Sequence, residues 1–103
     1  LFGSSLAVQL TGIGIIVPIM EEVLFRGLVY NRLKDYNNEW LSMILAAGIF
    51  AVYHGNPLQI LFAFPMGLLL LAVYEKEGTL MAPIALHMAV NISSILFTAA
   101  GSL

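Results

Sequence analysis

Apolar residues run through this chain in stretches long enough to be helices and too continuous to be half-buried strands. That feature limits the folds open to it. The run Leu1 to Val17 is interrupted by Gly12, Gly14 and Pro18, and the helical pattern resumes from Pro18 to about Lys34. Further runs are expected as helices from Trp40 to His54, from Leu58 to Tyr74 and from Thr79 to about Ala100. Sixty per cent of the 103 residues are hydrophobic and 10% are charged, where a soluble domain is about one quarter charged. A chain this short cannot hide so much apolar surface in a core of its own, so lipid must be the solvent for most of it. Continuous rather than alternating runs argue against a β-barrel. The expected fold is all-α: a polytopic transmembrane bundle of about four helical segments, read as the core of a larger bundle and as one domain over residues 1–103.

The breaks between runs are short. Asp35-Tyr36-Asn37-Asn38-Glu39 reads as a polar loop, Gly55-Asn56-Pro57 as a tight turn, and Glu75-Lys76-Glu77-Gly78 as a second, solvated polar loop. Thr79 is placed to cap the last helix, with Pro83 in its first turn or so. Pro65 falls inside the third helix and is a candidate kink. The second and third helices are expected to be 15 and 17 residues long, short of the roughly 20 that span comfortably. If all four segments cross, the loops at 35–39 and 75–78 share a side with Arg32, Lys34 and Lys76, and the positive-inside bias makes that side cytoplasmic. Tyr36, Trp40 and Tyr74 then fall at the interface, where aromatic residues gather, while Phe62, Phe64 and Phe97 read as core or lipid-facing.

The remaining composition removes whole function classes. The net charge is −2 with no basic run or face, which argues against nucleic-acid partners. There is no cysteine, so disulfides, thiolate nucleophiles and Cys-based metal sites are absent. Residue 1 is Leu, so an excerpt or a trimmed product is expected. The first run has neither a basic leader nor a small-residue cleavage site and fits a signal peptide poorly.

Against this background six polar side chains stand out within the apolar runs: Glu21, Glu22, Arg26, His54, His87 and Asn91. A charge at bilayer depth costs several kcal/mol, so such residues are rare and usually functional. At about 1.5 Å of rise per residue, Glu21 lies roughly 16 Å in from Arg32, His54 about 21 Å from Trp40, His87 about 12 Å and Asn91 about 18 Å from Thr79. Three helices thus bring polar groups to one slab. Glu22 and Arg26, four residues apart, share a face and can pair. Glu21, about 100° away around the helix, is left free to act on water as a general base. His87 and Asn91 also share a face and can donate to a developing oxyanion. His54 can orient or deprotonate the water, or ligate a metal.

Other hydrolytic chemistries fit less well. An aspartyl pair needs two Asp, and Asp35 is the only one. The H-E-x-x-H zinc motif is missing, and Ser93 and Ser94 flank no glycine elbow. Taken singly, each histidine reads as a hydrogen-bonded core residue, Glu22–Arg26 as helix glue and Asn91 as a bridge between helices. Taken together, they favour a hydrolytic site.

Glu21-Glu22-Val23-Leu24-Phe25-Arg26 resembles the E-E-x-x-x-R motif of the CAAX protease and bacteriocin-processing family, also called the Abi family. Phe50-Ala51-Val52-Tyr53-His54 resembles its F-x-x-x-H motif, and His87-Met88-Ala89-Val90-Asn91 its H-x-x-x-N motif. The three occur in order and cover about residues 18–95. The resemblance implies an intramembrane endopeptidase of the CAAX prenyl protease type or of the bacteriocin-processing and self-immunity type. Its substrate would be a peptide or protein, in some relatives prenylated at its C-terminus. The implied catalytic set is Glu21, His54, His87 and Asn91, supported by Glu22 and Arg26. No cofactor is expected to be required; in a zinc-dependent version Glu21, His54 and His87 would be the ligands. The alternatives are a catalytically silent immunity or scaffold protein and a proton or ion path.

Overall fold

A computed structural model describes residues 5–101. Residues 1–4, where the first apolar run begins, and 102–103 lie outside the described residues. Among the described residues the chain is helical throughout, with no strand. Four helices can be numbered: α1 Leu6–Lys34, α2 Glu39–Tyr53, α3 Pro57–Glu77 and α4 Met81–Gly101.

The expected break near Gly12, Gly14 and Pro18 does not occur. α1 runs for 29 residues and absorbs its irregularities as two π-helical segments, Gly12–Ile16 and Val23–Tyr30. In a π turn the N–H of residue i reaches the carbonyl of residue i−5. The Val17 N–H accordingly bonds the Gly12 carbonyl. The next N–H in that series belongs to Pro18, which has none, so the Ile13 carbonyl is left open without the helix ending. Pro is tolerated in such a helix when a neighbour satisfies the freed carbonyl. That neighbour is Asn91, described below.

Two other expectations need correction. α3 is 21 residues long rather than 17, and Glu75, Lys76 and Glu77 form its last turn rather than a solvated loop. Lys34 on α1 pairs with Glu75 at 2.7 Å, which holds that turn in place. Gly78, at φ +70°, ends the helix in the left-handed conformation that glycine adopts without strain. Pro65 sits inside α3 without interrupting it. The turn at 55–57 is as expected: Asn56 caps α3 by accepting from the Leu58 and Gln59 N–H groups, and Pro57 is its first residue.

α1, α3 and α4 are each long and apolar enough to cross a membrane, and α2, at 15 residues, is shorter. This is an integral membrane protein. Its surface follows from that solvent: Phe62, Phe97, Leu61 and Met81 are exposed, as lipid-facing residues should be. Tyr36 and Trp40 are exposed at the 35–38 loop, while Tyr74 is tied by the Asn31 amide at 2.9 Å.

The buried hydrophobic interior is small and lies where α2 and α3 meet, with Phe25 and Tyr30 added from α1. Phe25, Phe50, Ala51, Ala63 and Leu70 form one cluster, and Tyr30, Ala46, Ala47 and Leu71 the other. Gly67 lets α3 and α2 meet closely, since a Cβ there would stand 3.0 Å from the Phe50 ring and 3.4 Å from the Ala47 Cα. Small residues commonly allow such contacts between membrane helices. Gly67→Ala is therefore expected to cost about 1–3 kcal/mol through overpacking. Gly48→Ala, where a Cβ would meet nothing within 4 Å, should cost nothing measurable. Thermal unfolding of both variants in one detergent checks the contrast; equal losses would show that the α2–α3 contact is not tight.

Candidate active site

The site grows out of one buried ion pair. Glu22 and Arg26, one turn apart on α1, are both fully buried, with Glu22 Oε1 3.2 Å from Arg26 Nε. The pair expected from their spacing is present, but its angle does not satisfy a hydrogen bond. The guanidinium is held from two further directions. Its Nη2 donates to the Gly67 carbonyl on α3 at 3.4 Å, and its Cζ lies over the Phe50 ring on α2, 4.4 Å from the centroid. A weakly hydrated guanidinium is well suited to such a stacked, buried position.

His87 supplies the contact that spacing could not foretell. Its Nδ1 is 2.6 Å from Glu22 Oε2, and its Nε2 is 3.4 Å from Glu21 Oε1. The imidazole is buried and bridges two neighbouring carboxylates from α4. A carboxylate only accepts, so the short contact puts a proton between Nδ1 and Glu22. Glu22 is thus shared between Arg26 and His87, and Glu21 is not solitary: it keeps the imidazole edge beside it.

His54 caps the C-terminal end of α2. Its Nδ1 is 2.8 Å from the Phe50 carbonyl. A carbonyl cannot donate, so Nδ1 carries the hydrogen, and in the neutral ring Nε2 presents a lone pair. Phe50 also packs edge-on against the rings of His54 and His87, with centroids 4.8 Å and 6.1 Å away. One phenylalanine thereby places both histidines and the arginine.

Asn91 meets the open carbonyl of α1. Its Nδ2 donates to the Ile13 oxygen at 3.0 Å, the acceptor that Pro18 leaves free. One N–H of the amide is spent on this bridge and the second remains.

These groups line one cavity of about 380 Å³ that contains Glu21, His54, Gln59, His87, Asn91 and Ser94 between apolar walls of Ile13, Val17 and Ile95. All four residues expected to be catalytic are in it; Glu22 and Arg26 lie behind it. Gln59 and Ser94 went unremarked in the sequence as members of this group. Ser94 was within reach of pattern reasoning, because it lies seven residues after His87 and three after Asn91, on their face of α4. Gln59 gave no such signal, being brought in by the α2–α3 turn. A larger groove of about 660 Å³ between α1 and α2 is almost wholly apolar and contains none of these ionisable groups. Among the described residues, no three His, Asp or Glu side chains come together as a metal-holding group. Glu21, His54 and His87 share the cavity without forming a ligand set.

Two energetic consequences can be measured. Arg26→Ala strands Glu22 in low dielectric and should cost about 3–5 kcal/mol. Glu22→Gln combined with Arg26→Met should be milder, and equal or greater damage in the double variant, by unfolding in detergent, would argue against the pair. Pro18→Ala restores an N–H that competes for the Ile13 carbonyl. Asn91→Ala should then cost about 1 kcal/mol in the native background and clearly less in Pro18→Ala. Additive losses would show that the two residues do not share that carbonyl.

The profile of the type II CAAX prenyl endopeptidase Rce1-like family matches residues 3–93. The chain is 26% identical over 77 residues to "Putative membrane peptidase YdiL" of Bacillus subtilis (strain 168), covering 75% of this chain and 32% of that protein. It is 33% identical over 85 residues to "UPF0177 protein in abiGi 5'region" of Lactococcus lactis subsp. cremoris, covering 82% and 35%. It is 31% identical over 88 residues to "Uncharacterized 24.3 kDa protein" of Escherichia coli, covering 81% and 41%. The chain therefore spans only about a third to two fifths of the length of these relatives. No solved structure matches it. With the profile running through all three motifs that build the cavity, the chain belongs to the type II CAAX prenyl endopeptidase Rce1-like family.

Proposed function

We propose that this chain forms the catalytic core of an intramembrane endopeptidase in which Glu21 activates a water molecule. The observation that carries the reading is the convergence of Glu21, His54, His87 and Asn91 on one cavity. Glu21 accepts a proton from water while the water oxygen attacks the scissile carbonyl carbon, with His54 Nε2 orienting the water. A C–O bond forms and the carbonyl becomes an oxyanion. The second N–H of Asn91, together with His87, supports that charge. Collapse re-forms the carbonyl and breaks the C–N bond, and the proton held by Glu21 passes to the leaving amine. Glu22 and Arg26 fix the imidazole from behind.

The geometry places a condition on His87. Its Nε2 can donate only if Nδ1 also carries a proton or if Glu22 holds that proton as a carboxylic acid. Either way, the Glu22–His87 unit must keep one proton beyond a carboxylate and a neutral ring that donates from Nδ1.

The substrate proposed is a peptide prenylated near its C-terminus, in keeping with the family, and no metal is assigned to the reaction. The end of the bundle carrying Arg32, Lys34 and Lys76 is proposed to face the cytoplasm. The test is cleavage by the full-length protein in detergent, using a farnesylated CaaX peptide and its unfarnesylated twin, read by mass spectrometry. The farnesylated peptide should lose its last three residues. Glu21→Ala and His54→Ala should lower turnover by about 10³-fold or more in protein that remains monodisperse. Asn91→Ala should lower kcat by about 10²–10³-fold with less effect on KM, and chelators should change little. Near-normal turnover in a well-folded Glu21 or His54 variant would overturn the assignment, as would activity lost to a chelator and restored by zinc.

A further inference from the structure

Two polar side chains in the cavity take no part in holding the bundle or in the chemistry above. Gln59 lies in the first turn of α3, and Ser94 lies one turn beyond Asn91 on α4. Their neighbours are committed: Asn91 to Ile13, His87 to Glu22 and His54 to Phe50. Among the described residues neither the Gln59 carboxamide nor the Ser94 hydroxyl makes a hydrogen bond, and both line the cavity together with Glu21, His54, His87 and Asn91 and the apolar Ile13, Val17 and Ile95. Both side chains are exposed at the mouth of the cavity, so their donors and acceptors are open to a bound peptide.

The depth of the site says what such a peptide needs there. α2 is 15 residues long, or about 22 Å, so the turn between His54 and Gln59 lies inside the roughly 30 Å hydrocarbon layer when the Asn38 cap sits at its edge. A peptide bond cannot be attacked while its carbonyl is engaged in a helix. Once the segment unwinds, its N–H and C=O groups lose their partners at a depth where no bulk water replaces them. A site that hydrolyses such a segment must provide those partners itself. A carboxamide both donates and accepts, which matches one peptide unit; a hydroxyl can serve a single carbonyl or N–H.

We propose that Gln59 and Ser94 form a subsite for the peptide backbone, receiving the unwound segment beside the scissile bond. Gln59 pairs with one peptide unit from the α3 side, and Ser94 holds a backbone group from the α4 side. The inference rests on the hydrolase reading and adds the substrate's conformation: an extended segment recognised through its main chain and hence tolerant of side-chain identity.

The experiment uses the full-length protein carrying Glu21→Gln, so that bound peptide is not consumed. The probes are the farnesylated CaaX peptide and a series in which one backbone amide at a time is replaced by an ester, which removes an N–H and weakens the carbonyl as an acceptor. One ester near the scissile bond should lower affinity about fivefold to tenfold, the size of one hydrogen bond. Gln59→Leu should weaken the all-amide peptide by a similar factor and abolish the penalty of that ester; Gln59→Asn should restore part of it. Ser94→Ala should do the same at a second position. If Gln59→Leu weakens amide and ester peptides alike, the residue acts only through shape and the proposal fails. It fails equally if the all-amide peptide does not bind. Retained cleavage by the Glu21→Gln protein would overturn Glu21 as the base, and the ester comparison, then read as KM, would still decide the subsite.

Discussion

The structure depends on keeping two adjacent carboxylates inside a membrane bundle. Glu22 is fully buried and Glu21 nearly so, and no isolated carboxylate survives that environment without a partner. Arg26 answers Glu22 from the same helix, and His87 answers both from α4. Because Arg26 must in turn be held by the Gly67 carbonyl and the Phe50 ring, compensating this charge draws α2, α3 and α4 onto α1. Further polar links also reach α1, from Asn91 near the cavity and from Tyr74 and Glu75 at the loop end. Hydrophobic burial cannot do the same work, since lipid is as apolar as the helices it surrounds.

α1 itself is built for this role. A regular α-helix would have no spare carbonyl at Ile13. The π segment and Pro18 together create one, and Asn91 takes it up. π segments inside helices are often found at functional sites, and here the irregularity fixes the fourth residue of the constellation. Glu21 and Glu22 sit between the two π segments, on the face of α1 that is buried with Pro18 while Ile19 and Met20 are exposed.

The F-x-x-x-H spacing also acquires a physical meaning. Four residues apart, Phe50 offers its carbonyl to the His54 ring at the end of α2 while its own ring supports Arg26 and both imidazoles. Phe50 thus contacts Arg26 and both imidazoles, and His54 lines the cavity.

Much of this was legible in the residues themselves. Continuous apolar runs with few charges dictate membrane helices, because the alternative leaves most of the surface in water. The i, i+4 pairs Glu22–Arg26 and His87–Asn91 follow from helical geometry, and a common depth for three helices follows from counting residues. What sequence could not decide were contacts between residues distant in the chain. Glycine and proline read locally as a break at 12–18, yet tertiary packing supplied an acceptor's partner and the helix continued; charges at 75–77 read as a loop, yet Lys34 stabilised them as helix. His87 read as an oxyanion donor, and the packing of α4 against α1 gave it two carboxylates. Gln59 entered the cavity only through the direction of a three-residue turn. Local propensity and periodicity are properties of a segment, whereas the partner that satisfies a buried polar group is chosen by which helices happen to meet.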